Sequence, residues 1–271
     1  MSGTKNGPDD VASNEIALSC FAHAEELIYR HKGDAVDEVA IAFADALLHT
    51  EPPVSPHTTD MNTARHRALV ALAVVSPRRT ARYLTGQLIK SGLAVNQFLM
   101  VIAALTDAAF ALGPKFVSVV GDFFFPTLRA AENLVRCERD SYIYLDDVVL
   151  ARIVSSLGTM YGHACHSTML PRMAEGLLSL GATILSKAHD PVVRRSFLSA
   201  LSVLLTTTPA ALFATHQQVF LDDKLTSKLL KTLQDDPDID CKKMAGIALS
   251  FIRERLVGMI GVDFNVLSLK G

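Results

Sequence analysis

Asp190-Pro191-Val192-Val193-Arg194-Arg195-Ser196-Phe197-Leu198-Ser199-Ala200-Leu201 and Asp236-Pro237-Asp238-Ile239-Asp240-Cys241-Lys242-Lys243-Met244-Ala245-Gly246-Ile247-Ala248-Leu249 are two copies of one pattern. Each opens on Asp-Pro and closes on small/apolar, basic, two free positions, apolar, two free positions, Ala, Leu. Arg194 and Lys242 stand 48 positions apart, and the two Asp-Pro pairs 46 apart. A third copy, Ala64-Arg65-His66-Arg67-Ala68-Leu69-Val70-Ala71-Leu72, follows Asp60. A degraded fourth, Ala151-Arg152-Ile153-Val154-Ser155, follows Asp146 and Asp147, with Arg152 lying 42 positions before Arg194. The apolar positions recur at helical spacing, the small Ala permits close helix approach, and the Asp before Pro is suited to an N-cap. The basic residue is expected to reach an acidic residue on an adjacent turn.

This pattern resembles the second helix of a HEAT-type repeat, a pair of antiparallel helices recurring every 40–47 residues. The fold read from it is all-α, a HEAT-like α-α superhelix. Working outward, helical periodicity recurs almost everywhere and strand-like alternation almost nowhere. Helices are predicted over about 14–31, through Val36 to Leu48, and over 60–75, 77–91, 94–112 and 115–136. Others follow over 146–164, 170–188, 191–206, 209–220, 225–234 and 237–260. Glu51-Pro52-Pro53-Val54-Ser55-Pro56-His57 is a loop, because three prolines fix φ and remove donors. The organisation predicted is a tail over 1–12, a single solenoid over 13–260 with a Pro-rich loop at 50–60, and a tail over 261–271.

Composition narrows the function classes. Hydrophobic residues form 49% and charged residues 20% of the 271, which excludes disorder for most of the chain. The net charge of −2 lacks the basic excess of a protein that lives on nucleic acid. Cys20, Cys137, Cys165 and Cys241 lie far apart with no CxxC pair, the pattern of reduced thiols. Met1 to Asp10 has no basic segment followed by an apolar one, so no secretory signal is read there. The most apolar window, Leu93 to Leu112, is interrupted by Asn96, Gln97 and Asp107 and is read as a buried core helix, with no membrane partner.

Chemistry-bearing clusters are few. His163, Cys165 and His166 are the best metal-like group, but no fourth ligand is near in sequence, and a polar helix end is the preferred reading. No Walker loop, dinucleotide glycine fingerprint or nucleophile elbow is present, so the chain reads as non-enzymatic, with no cofactor, no metal and no catalytic residue. Phe123-Phe124-Phe125-Pro126 reads as two core anchors followed by a proline that opens a helix. Gly158 and Gly162 form a GxxxG step that signals close helix packing. Arg78, Arg79 and Arg82, then Arg194 and Arg195, then Lys242 and Lys243, are the candidate protein-interaction surface. In stacked repeats the last two groups align into a basic stripe; the alternative is helix starts paired internally with Asp. Ser55-Pro56 and Ser76-Pro77 are possible phosphorylation sites, though a helix cap explains the second equally well.

Several segments go beyond a generic repeat. They are Phe21-Ala22-His23-Ala24-Glu25-Glu26-Leu27-Ile28-Tyr29-Arg30 with Ala46-Leu47-Leu48-His49, then His66-Arg67-Ala68-Leu69-Val70-Ala71-Leu72 with Pro77 and Tyr83-Leu84-Thr85-Gly86-Gln87. Gly121-Asp122-Phe123-Phe124-Phe125-Pro126-Thr127-Leu128 follows, and then the Val193-Arg194 and Asp236 to Cys241 blocks. In this order they resemble the C-terminal half of the telomere length regulation protein family, over about Phe21 to Leu256. Members of that family are longer, with a further N-terminal solenoid and an acidic serine motif between the halves. Asp9-Asp10 is the nearest acidic pair here and has no serine in frame.

The resemblance implies a scaffold or co-chaperone adaptor, a subunit of the triple-T complex with two other helical-repeat subunits. With the ninety-kilodalton heat-shock chaperone system, that complex supports maturation and stability of the phosphatidylinositol-3-kinase-related kinases. Telomere maintenance and DNA-damage roles follow indirectly, in cytoplasm and nucleus. Direct binding of telomeric or other nucleic acid is the alternative function.

Overall fold

The computed structural model describes residues 8–50, 58–90, 92–136, 143–215, 218 and 223–260. Among them every regular element is helical, an all-α helical-repeat architecture. The chain divides into two compact units, Met1–Phe123 and Phe124–Gly271, where the sequence pointed to one continuous array.

The first unit contains α1 (Pro8–Arg30), α2 (Asp34–His49), α3 (Thr58–Val75), α4 (Pro77–Ile89) and α5 (Val95–Leu112). A 3-10 turn, Gly113–Ser118, follows α5. In this unit α3 packs on both α1 and α5, while α2 packs on α4, giving two layers bridged by α3. The pattern of apolar residues dictates this. Helix α2 buries Val36, Ala40, Ala44, Leu47 and Leu48, a stripe at helical spacing that leaves the acidic positions outward. Gly33 turns the chain between α1 and α2 with φ 127°, a conformation other residues rarely adopt. Helix α1 already begins at Pro8, inside the stretch expected to be a tail, and α3 begins at Thr58. Residues 51–57 of the Pro-rich loop, 1–7 and 261–271 lie outside the described residues.

Helix α5 is the one described helix long and apolar enough to cross a membrane, by length and composition. It buries Val101, Ile102, Ala104, Leu105, Ala108, Ala109 and Leu112, packing on α3 and α4. Asp107 is exposed and accepts from His66 on α3 at 2.8 Å.

The unit boundary falls inside α6 (Val120–Arg136), between Phe123 and Phe124. The helix predicted over 115–136 is present with Pro126 in its interior, so the reading of the Phe run that opened a helix at Pro126 is corrected. The 3-10 turn at Gly113–Ser118 already makes the break, so α6 tolerates the loss of one N–H donor. Phe123 and Phe124 are fully buried, as the core reading requires. Phe123 packs edge-on to Phe116, with centroids 5.4 Å apart.

In the second unit, α7 (Ile143–His163), α9 (Pro191–Thr207) and α12 (Ile239–Ile260) form one layer. The other layer holds α8 (Leu170–Lys187) and α11 (Asp223–Asp235), and α10 (Ala210–Thr215) is a short connector. Gly158 and Gly162 sit where α7 meets α9. A methyl at Gly158 would lie 2.7 Å from Ala200 Cβ and 2.8 Å from its Cα, so the glycine is what permits the contact. The GxxxG step is therefore a packing device inside the unit.

All four copies of the motif fall on one kind of helix. Arg65 is on α3, Arg152 on α7, Arg194 on α9 and Lys242 on α12, each in the layer whose helices pack on one another from repeat to repeat within a unit. Polar contacts carry the same period. Asp37–Arg79, Asp45–Tyr83, His66–Asp107, Arg82–Asp122 and Arg194–Asp236 join residues 38 to 42 positions apart.

Candidate interaction surface

The seven basic residues singled out above divide between the units, Arg78, Arg79 and Arg82 in the first and Arg194, Arg195, Lys242 and Lys243 in the second. Arg194 is almost wholly buried, with 7% of its surface exposed. Its Nε and Nη2 donate to Asp236 Oδ2 and Oδ1 at 2.8 and 2.9 Å, a bidentate fork. Its Nη1 donates to the carbonyls of Ala188 and His189 at 2.8 and 2.7 Å, at the C-terminal end of α8. Burial pulls the Arg194 pKa down, but the Asp236 carboxylate outweighs it and the group is held above its ordinary value. Arg194 is thus a repeat-to-repeat lock, and its place in an exposed surface is corrected. The partner is not on an adjacent turn. It is one repeat further on, because stacking brings the next inter-helix loop over the start of α9.

Asp236 works in two directions. Besides holding Arg194, it accepts from the Asp238 N–H at 2.9 Å, and Asp238 in turn accepts from the Cys241 N–H at 2.8 Å. Helix α12 therefore starts at Ile239 with Asp238 as its cap, two residues later than the Asp-Pro pattern indicated. The Cys241 N–H bond, together with the charge of Arg195, holds the Asp238 carboxyl below its ordinary range. By contrast Asp190 caps α9 as expected, accepting from Val192 N–H at 2.7 Å.

The remaining basic residues are paired near the surface. Arg195 lies 3.9 Å from Asp238 and 3.8 Å from Asp240, and Lys243 lies 3.7 Å from Asp240. Lys242 donates to the Gln234 carbonyl at 2.9 Å, at the end of α11. The stripe of Arg194, Arg195, Lys242 and Lys243 is thus matched by Asp190, Asp236, Asp238 and Asp240 on the same helix starts. In the first unit, Arg79 pairs with Asp37 at 2.9 Å and Arg82 with Asp122 at 2.7 Å, while Arg78 lies 4.0 Å from Asp122. Exposed pairs of this kind contribute little each. What they fix is register between neighbouring repeats.

A cleft of about 500 Å³ opens beside the Arg194–Asp236 pair, lined by His189, Lys228, Lys231, Thr232 and Asp235 among others. Lys228 spends its ammonium on the Ala182 carbonyl and the Ser186 hydroxyl of α8. No group of three or more metal-ligating side chains occurs among the described residues. His166 is exposed and His163 and Cys165 are half-buried at the end of α7. Ser76 is buried and donates its hydroxyl to Asp37 rather than capping α4, so its oxygen is spent inside the fold. Ser55 lies outside the described residues.

Sequence reasoning missed one device. Cations repeatedly close the C-terminal ends of helices: Arg65 on the Thr50 carbonyl after α2, Arg194 on α8, Lys242 on α11, and Arg255 on Leu205 and Thr206 of α9. Helix ends leave carbonyls unsatisfied and negative, so a buried cation there is doubly favourable. The recurring basic position of the motif was its only sequence signal.

Residues 6–109 match the telomere length regulation protein family. The chain is also 26% identical over 90% of its length to the telomere length regulation protein TEL2 homolog of Homo sapiens. Against the same homolog in Xenopus laevis it is 22% identical over 92%, and in Mus musculus 26% identical over 86%. Through about nine-tenths of its length, the chain is thus similar to the telomere length regulation proteins. It spans about a third of the length of those relatives, 34–36% of each. No solved structure matches.

Proposed function

We propose that this chain is a non-enzymatic scaffold, a subunit of the triple-T co-chaperone complex acting in cytoplasm and nucleus. It assembles with two other helical-repeat proteins and, with the ninety-kilodalton heat-shock chaperone system, supports maturation and stability of phosphatidylinositol-3-kinase-related kinases. Telomere and DNA-damage effects are indirect, through those kinases. The observation that carries this reading is the similarity to telomere length regulation proteins, which runs through about nine-tenths of the chain rather than through one motif.

Two further observations support it. The chain is built of stacked helical hairpins, an architecture that offers long surfaces to partners. The seven basic residues of the candidate surface lie against Asp carboxylates or helix-end carbonyls, and the chain carries a net charge of −2, which weighs against direct nucleic-acid contact.

Affinity capture with the purified chain from a lysate of its own organism, read by mass spectrometry, tests the proposal. Recovery of two large helical-repeat proteins with a phosphatidylinositol-3-kinase-related kinase is the expected result. Recovery of nucleic-acid proteins alone, or a salt-sensitive shift of labelled DNA by the chain, would overturn it.

A further inference from the structure

Helix α6 is divided between the two units, and its two ends are held by different neighbours. Before the boundary, the Asp122 carboxylate accepts from Arg82 of α4 at 2.7 Å, and Phe123 is fully buried edge-on to Phe116. After it, Phe124 is fully buried and Phe125 lies under the guanidinium of Arg172 on α8, 4.9 Å from its ring. Leu128 approaches α8 so closely that a methyl on Gly176 would come 2.5 Å from its Cδ2. Phe123 and Phe124 are thus consecutive anchors, one seated in each unit, and helical geometry points them about 100° apart.

The backbone between these anchors is the weakest part of the helix. Pro126 has no N–H, so the bond that would cross the boundary from residue 126 to the Asp122 carbonyl is missing, and the ring presses on that carbonyl. A proline at such a place bends a helix. Gly121, in the first turn, is a poor helix former by about 1 kcal/mol relative to Ala. The Asp122 N–H donates to the Val119 carbonyl at 2.9 Å, three residues back, so the first turn is wound as a 3-10 turn at its start. Elsewhere the chain spends proline differently. Pro77, Pro171 and Pro191 stand in the first turns of α4, α8 and α9, where no helical bond is lost.

We propose that α6 is a joint. The turn from Val120 to Phe125 opens and closes about Pro126, and the two units turn independently on it. Phe123 and Phe124 stay seated while the backbone between them bends. The Arg82–Asp122 pair, which is exposed on the Arg82 side, holds the first turn onto α4 and limits the motion.

Amide hydrogen exchange on the full chain, resolved by residue, tests this. In a rigid helix the Phe124 and Phe125 amides would be as protected as those of Ala130 and Ala131 further along α6. They are expected to exchange at least about tenfold faster. Pro126→Ala restores the missing donor and should slow them at least about tenfold. Asp122→Ala frees the first turn from α4 and should speed them, while Ala130 and Ala131 keep their rates, which separates opening of the joint from loss of the fold. A second readout uses spin labels on unnatural side chains at the exposed positions Arg67 and Arg253, one in each unit. Their distance distribution, measured by pulsed electron resonance, is expected to narrow in P126A. Equal protection along α6, exchange that neither variant changes, or a distribution of the same width with and without Pro126 would overturn the proposal.

Discussion

Arg65 on α3 and Arg194 on α9 occupy the same position of the same sequence motif, yet the two units treat them differently. Both are buried, at 4% and 7% exposure, and both close the C-terminal end of the preceding helix through backbone carbonyls. Arg194 has a carboxylate facing it, and its charge is held more firmly than in water. Arg65 has the ring of Phe21, 5.1 Å from its guanidinium carbon, and burial leaves its pKa lowered. The motif thus requires a cation at the helix junction. It does not specify how that cation is neutralised. In both units the contact ties one repeat to the next, but in the second a carboxylate meets the cation and in the first an uncharged ring does.

The largest effect should come from breaking the pair. Asp236→Ala leaves the Arg194 charge buried without its partner and is expected to cost about 3–5 kcal/mol in urea unfolding. The double variant with Arg194→Met should recover a good part of that loss, since no charge is then left stranded. The close approach of α7 and α9 comes next. Gly158→Ala places a methyl against Ala200 Cβ and Cα and should cost about 1–3 kcal/mol, with faster amide exchange in α9. Arg65→Met should cost less than Asp236→Ala, about 1–2 kcal/mol, because it removes a carbonyl bond and a ring contact without orphaning a charge. Equal costs at the two sites would erase the difference between the units.

Smaller still is Arg82→Ala, expected below about 1 kcal/mol and smaller again in high salt, since its pair with Asp122 is exposed. A pH test isolates the second unit. Burial, then the nearby Asp236 and Asp238 carboxylates, push the Cys241 thiol up from 9.0 to about 12, and burial pushes the Tyr161 phenol up from 10.0 to about 12. Both groups keep their protons longer in the folded chain than in the unfolded one. The stability they contribute is full below about pH 9 and is lost as pH rises toward 12. Cys241→Ala with Tyr161→Phe should flatten that alkaline slope in a thermal-melt series.

Much of this architecture is legible in the residues alone. The motif copies fall on α3, α7, α9 and α12, and the Asp-Pro signal places the start of α9 at Pro191 with Asp190 as its cap. Phe123 and Phe124 are core residues, as their run of aromatics suggests. At Pro126 and Pro237 the same local signal fails. Pro126 is absorbed inside α6 because the preceding 3-10 turn already breaks the chain. Pro237 is displaced from its helix because Asp236 is engaged by Arg194, which hands the cap to Asp238. In both cases the surrounding fold outranked a propensity that is read only from neighbours in sequence.

The sequence by itself determined the helical class, the repeat period and the positions that must be buried. Those follow from the spacing of apolar residues along one helix, which is local information. Only the tertiary structure decided which charges are spent and which faces stay open. Arg194 and Arg78 look alike in a string of letters, but stacking buries one against Asp236 and leaves the other at the surface.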